Sequence, residues 1–202
     1  MVDYVDTGLS ANSVPYLTAL EQQRALHAAV ASGRAPDTVI LLEHPSVYTA
    51  GKRTEPHERP RDGSPVIDIV RLADPIDVVA YVRRLEGLLI DVLAEFGVPG
   101  VQVAGRSGVW LVDEHRPVGD KIAAIGIRVA DGVTMHGFAL NCSNGFDAYR
   151  TIIACGIADA GVTSISRELG RTVTPSDVAP LVIERFEQHL TPSLAHPPVV
   201  AR

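Results

Sequence analysis

The chain is short of several residue types, and each scarcity excludes something. Of its 202 residues only Cys142 and Cys155 are cysteine, aromatics make up 5%, and there is a single tryptophan. Two cysteines cannot build a disulfide scaffold, and no CxxC pair or Cys/His cluster has metal-ligand spacing. Both thiols are expected to be reduced, and no metal is expected. No apolar run approaches the ~18 to 20 residues that span a bilayer, and the opening MVDYVDTGLS has neither a basic start nor an apolar secretory core. The expectation is a soluble cytoplasmic protein with no membrane partner. A net charge of -6 speaks against a general nucleic-acid binder while leaving room for a local basic patch facing an acidic partner. Lysine is scarcer still: only Lys52 and Lys121 are lysine among 18 basic residues. Where arginine serves almost everywhere, a remaining lysine marks a place that needs a group able to lose its proton.

At 46% hydrophobic, the 202 residues suit one compact domain spanning 1–202, with a Pro-rich tail from about 191. Ser13 is expected to cap an amphipathic helix through about Ser32, with Val14, Leu17, Leu20, Leu26 and Val30 at helical spacing and Gly33 as its stop. Val39–Leu42 reads as a short buried strand and Pro65–Val70 as a second, with GKRTEPHERPRDGSP between them as a surface loop. A long helix is expected from Asp74-Pro75 to about Phe96, its apolar stripe running through Val79, Val82, Leu85, Leu89, Val92 and Phe96 to a stop at Gly97. Beyond Gly97, VQVAG, GVWLV, the polar turn DEHRPVGD, KIAAIGIRV, the turn ADG and VTMHGFALNC form an antiparallel meander. Thr174, Pro175 and Asp177 open a final helix to about Leu190. Helices between the early strands and none between the later ones predict an α+β fold.

The residues with chemistry in them are few. Cys155 lies in TIIACGIADAG directly before Gly156, where a missing side chain would let backbone N–H groups approach a reacting carbonyl. That suits a nucleophile, although a small buried hydrophobe is what a free cysteine more often is. Cys142 alternates with Phe138 and Leu140 on one strand face, which reads as core packing. Lys121 opens IAAIGIRV at a sheet end, either as a snorkelling surface lysine or, beside Cys155, as a charge favouring the thiolate. His44, His57, His115 and His136 share no metal spacing, and no GxxxxGK[ST] loop surrounds Lys52.

Taken together, LLEHPSVYTAGKR, GVWLV, DKIAAIGIRV, MHGFALNC, IIACGI and GVTSI resemble, in order and spacing, the octanoyltransferases, also called lipoate-protein ligase B. The likeness runs from about residue 3 to residue 190. It implies a mixed, largely antiparallel sheet flanked by helices, of the kind shared with biotin and lipoate protein ligases. It implies that Cys155 is an acyl-thioester nucleophile, that Lys121 is its general acid/base and lowers its pKa, and that Ala124, Ile125, Gly126, Gly137, Phe138 and Ala139 line the substrate site. The reaction implied moves an octanoyl group from the phosphopantetheine arm of acyl carrier protein to the target lysine of a lipoyl domain, in lipoate biosynthesis, with no cofactor, ATP or metal. The acceptors implied are the lipoyl domains of 2-oxoacid dehydrogenase complexes and the glycine cleavage H protein.

The chain departs from the family pattern in one place. A stretch resembling R-G-G-x-x-T-x-H-G-P-G-Q, whose opening arginine would match Arg71 as a substrate-binding residue, is absent, and Arg71 runs straight into Leu72-Ala73-Asp74. Two other readings stay beside the main one: an ATP-dependent lipoate or biotin ligase of the same fold, and a non-catalytic module that binds an acyl carrier.

Overall fold

A computed structural model describes residues 2–9, 13–51, 55–60, 66–69, 78–152 and 159–190. The expected start of the long helix at Asp74-Pro75, Arg71, Lys52, Cys155 and the Pro-rich tail lie outside the described residues.

In chain order the elements are β1 (Asp3–Gly8), α1 (Tyr16–Ala31), β2 (Thr38–Leu42), β3 (Tyr48–Gly51), β4 (Val66–Ile69), α2 (Val78–Glu95), β5 (Val101–Val103), β6 (Arg106–Asp113), β7 (Arg116–Ala130), β8 (Val133–Leu140), β9 (Gly161–Val162), α3 (Ile165–Leu169) and α4 (Pro175–His189), with 3-10 turns at Pro56–Glu58 and Asp147–Thr151. Strands β5-β6-β7-β8 form an antiparallel sheet, β9 adds to β7 in parallel, and β1–β2 and β3–β4 are separate parallel pairs. The architecture is α+β, a largely antiparallel sheet flanked by helices.

The core forms where α2 and α4 cover the large sheet. Leu85, Leu88, Leu89, Val92 and Leu93 of α2 meet Val109 and Leu111 of β6, Ala123 and Ile127 of β7, and Val178, Val182 and Phe186 of α4, all of them buried. Leucines at steps of three and four place one stripe on the sheet. The stripe starts later than its spacing suggests, because Val79 is 70% exposed. On the same helix Glu86 is wholly buried, and its carboxylate accepts the Gly108 N–H at 2.9 Å and pairs with Arg83 at 2.6 Å. That satisfies both oxygens, as burial of a charge demands.

The N-terminal half differs from the sequence reading in four respects. Ser13 does not cap α1; Pro15 precedes the first turn without a side-chain cap, because Val14 is already tied to the end of β2, its N–H to Glu43 O at 2.8 Å and its carbonyl to His44 Nδ1 at 2.7 Å. Leu17 is 56% exposed, and α1 buries Ala19 alone. Strand β2 is half-buried along its whole length rather than buried, and among the described residues β1 alone pairs with it. Tyr48–Gly51, to which the sequence reading gave no strand and whose Gly51 it placed at the head of the surface loop, forms β3, which pairs in parallel with β4.

The meander is longer-stranded than expected. The polar stretch DEHRPVGD does not form one long turn: Glu114-His115 alone make the reversal, and β7 starts at Arg116, where the guanidinium bonds Asp113 and Glu168. The ADG turn is a two-residue hairpin with Asp131 and Gly132 both at positive φ, the conformation that suits the twist of the flanking strands. In α4 the anticipated cap is present: the Thr174 hydroxyl accepts from Asp177 N–H and the Asp177 carboxylate accepts from Thr174 N–H. Among the described residues no helix is long and apolar enough to cross a membrane.

Candidate active site

Strand β7 carries most of the candidate residues, and two irregularities decide where they go. The first is a register shift at Val109/Trp110, where Ile122 is the extra residue on β7 and the alternation of faces is reset. The second is β9, which lies along β7 with Gly161 opposite Asp120 and Val162 opposite Lys121. Side chains from the family motifs hold this junction. Asn141 donates its N–H to Ile122 O at 3.0 Å and its amide to Thr163 O at 2.9 Å, Thr163 N–H bonds Lys121 O at 3.0 Å, and the buried Ser164 caps α3. The HGFALNC and GVTSI segments are therefore the clasp between β7, β8 and β9.

Lys121 is half-buried, and its Nζ stands 4.6 Å from the ring centroid of Trp110, its cross-strand neighbour, which is completely buried. A cation over an indole face at this distance is attracted by the ring quadrupole. Arg106 lies over the same ring at 5.4 Å and bonds Asp159 at 2.6 Å. Asp159 is where the described chain resumes after segment 153–158, which contains Cys155. At the other flank, Ile152 lines a cleft, and Tyr48 Oη donates to Ala148 O at 3.0 Å, tying β3 to the turn that leads into the segment.

That cleft has a volume of about 1650 Å³, above the several hundred Å³ of an ordinary small-molecule site. It runs between α1 with β2 on one side and β7–β8 with α4 on the other. Its floor is paved by Ala124 and Gly126 of β7 beside their register partners Ala139 and Gly137 of β8. Two alanines and two glycines on adjacent strands leave the sheet surface bare, so a chain-like ligand can lie against the backbone. Phe138 also reaches the cleft, whereas Ile125 does not line it and packs against the core.

His136 and Arg128 stand at the cleft edge. His136 holds a positive φ of 65, and removal from water, with Arg128 and Arg24 adding repulsion, pushes its imidazole below its ordinary pKa. It is therefore a neutral group at neutral pH. Cys142, buried in the core, has its thiol pushed up to about 12, mainly by burial and further by Glu43 and Asp177. It is no nucleophile. Among the described residues no group of three or more His, Cys, Asp or Glu side chains is placed to hold a metal.

Residues 62–187, well over half of the chain, match the model of the lipoyl protein ligase A/B catalytic domain. The chain belongs to that family. It is 60% identical to an octanoyltransferase of Clavibacter sepedonicus over 219 positions, covering 98% of this chain and 94% of the relative. An octanoyltransferase of Renibacterium salmoninarum is 48% identical, covering 99% of this chain and 95% of that protein. An octanoyltransferase of Leifsonia xyli is 54% identical across 93% of this chain and 92% of its own length.

Sequence reasoning did not single out Trp110, Arg106 or Asp159. One signal was available: Trp110 is the chain's only tryptophan and sits two strand residues from the expected turn before Lys121.

Proposed function

We propose that this lipoyl protein ligase A/B family member is an octanoyltransferase of lipoate biosynthesis, working through a cysteine thioester. The Cys155 thiolate attacks the thioester carbonyl of an octanoyl group carried on the phosphopantetheine arm of acyl carrier protein. The new bond joins the acyl carbon to the Cys155 sulfur, the donor carbon–sulfur bond breaks, and Lys121 delivers a proton to the departing thiol. In the second half the ε-amine of a lipoyl-domain lysine attacks the enzyme thioester, Lys121 takes the amine proton, and the Cys155 thiolate leaves. The product is an amide. The donor thioester delivers an already activated acyl group, and its conversion to an amide is downhill, so the scheme needs no ATP.

The observation that carries this reading is the pairing of β9 with β7, which brings the chain emerging from the Cys155-bearing segment alongside Asp120 and Lys121. The cleft supports it as well: Ile152, at the other flank of the segment, lines the same cavity as the Ala124, Gly126, Gly137 and Ala139 floor. An octanoyl chain burying six methylenes there would gain roughly 5 kcal/mol. A cavity this large also has room for part of the arm that delivers the chain.

Intact mass after incubation with octanoyl-acyl carrier protein tests the proposal. An octanoyl adduct is expected on the wild-type chain, absent from Cys155→Ala and strongly slowed in Lys121→Ala. A parallel incubation with free octanoate and ATP is expected to give no transfer; transfer in that arm alone would make the chain an ATP-dependent ligase. Tight binding of the carrier with no adduct would make it a binding module.

A further inference from the structure

Trp110 is wholly buried, yet its Nε1–H has no hydrogen-bond partner among the described residues. A buried donor left unpaired is a penalty that phenylalanine or leucine would avoid at that site. What the indole does provide is a face for two cations, Lys121 Nζ at 4.6 Å and the Arg106 guanidinium at 5.4 Å, and indole is the strongest of the aromatic faces for that purpose. Neither cation is otherwise idle: Lys121 lies on the strand that pairs with β9, and Arg106 bonds Asp159 at 2.6 Å, the residue at which the chain leaves segment 153–158. Arg106 and Trp110 stand four residues apart on β6, so a single strand carries the platform for the lysine and the anchor for the segment.

We propose that Arg106 and Trp110 are positioning residues for the reacting pair: the indole face holds the Lys121 ammonium in place, while Arg106, stacked on the same ring, holds Asp159 at the end of the segment that bears Cys155. The proposal rests on the reading of Lys121 and Cys155 given above. It ties Lys121 and Asp159, four residues beyond Cys155 in the chain, to one strand, β6.

The test is the single-turnover rate of octanoyl-enzyme formation by intact mass, together with the KM for octanoyl-acyl carrier protein in steady-state transfer. The variants are Trp110→Phe, Arg106→Gln, Asp159→Asn and the charge-exchanged Arg106→Glu/Asp159→Arg. Arg106→Gln and Asp159→Asn change partly exposed side chains, so these two decide the matter even if Trp110→Phe fails to fold. Each is expected to slow acylation about tenfold or more, as misplacement of reacting groups does. KM should stay within about twofold, the mark of an effect on the chemical step. The exchanged double variant is expected to recover most of the rate, and Trp110→Phe, keeping a weaker face, to lose less than Arg106→Gln. Wild-type rates in Arg106→Gln and Asp159→Asn, or an exchanged variant no better than the single ones, would overturn the inference. Cys155→Ala and Lys121→Ala separate the two levels: if the first is dead and the second strongly slowed while Arg106→Gln runs at full rate, the positioning role alone falls. Acylation that survives in Cys155→Ala, or runs at the wild-type rate in Lys121→Ala, removes the reading beneath it, and the inference with it.

Discussion

A Cβ built on Gly161 would stand 2.1 Å from Oδ1 of Asp120, its register partner across the β9–β7 pairing. Glycine leaves room for the Asp120 carboxylate, 3.6 Å from Arg116, to lie between β9 and β7. Gly161→Ala must therefore turn Asp120 away from Arg116. Because that side chain can swing aside, the cost is at the low end of overpacking, about 1 kcal/mol, and should shrink to near zero in an Asp120→Ala background. A double-mutant cycle by urea denaturation checks it; equal losses in both backgrounds would mean that the strain lies elsewhere.

The two cysteines should differ sharply in reactivity. At pH 8 Cys142, with its thiol pushed up to about 12, carries almost no thiolate. Mild iodoacetamide treatment of the folded protein is expected to label Cys155 alone, and unfolding should expose the second site. The same shift makes stability depend on pH. The folded thiol keeps its proton beyond the ordinary value of 9.0, so its contribution is complete below that value and is lost as pH rises toward about 12. Wild type should lose stability between pH 8 and about pH 10.5 by more than Cys142→Ala does. Parallel curves would show that Cys142 titrates normally.

How much of this was legible in the sequence follows from which forces are local. The α4 cap could be read directly, because Thr174, Pro175 and Asp177 act on each other within one turn. The Asp131-Gly132 hairpin was legible for the same reason. The start of α1 was not, because the Val14 contacts that displace a Ser13 cap come from Glu43 and His44, some 30 residues away. Strand β3 was not legible because Tyr48–Gly51 is only four residues long, wedged between the His44-Pro45 break and a charged, Gly- and Pro-rich stretch, and its partner β4 lies beyond that stretch. The site behaved likewise. Periodicity alone did not distinguish Lys121 from any surface lysine; the motif resemblance singled it out. The Trp110 ring beneath it and the β9 pairing beside it are non-local contacts that no spacing rule encodes.

The N-terminal cap of α4 offers a stability change outside the proposed reacting pair, at the rim of the cleft. Thr174→Ala removes the hydroxyl that accepts the Asp177 N–H and should cost ~1 kcal/mol. Asp177 is held below the usual carboxylate range by the Thr174 hydroxyl first and its N–H second. Its stabilising effect is thus present above the unfolded value of 3.8 and lost as pH falls below it. Denaturation midpoints at pH 7 and pH 3 should lie further apart for wild type than for Thr174→Ala. Octanoyl transfer at pH 7 should be unchanged, and a variant that lost activity while folded would connect α4 to the chemistry.

Gly126 is the position where bulk can be added to the cleft floor with the least disturbance. A Cβ there meets nothing within 4 Å, whereas the equally open Gly137 has a φ of +151 that a side chain would strain. Valine is also at home on a strand, so Gly126→Val should fold at least as well as wild type. Its two methyl groups would project over the floor formed with Gly137, Ala124 and Ala139. If the acyl chain lies on that floor, shortening the slot by two methylenes removes ~1.6 kcal/mol of burial and should turn preference from octanoyl toward hexanoyl by about tenfold. Competition among hexanoyl, octanoyl and decanoyl carrier proteins, read as the mass of the acyl-enzyme, measures it directly. An unchanged octanoyl preference in a folded Gly126→Val would move the acyl chain off the β7–β8 floor and toward the α1 side of the cleft, where Leu20, Leu26 and Val30 provide the apolar wall.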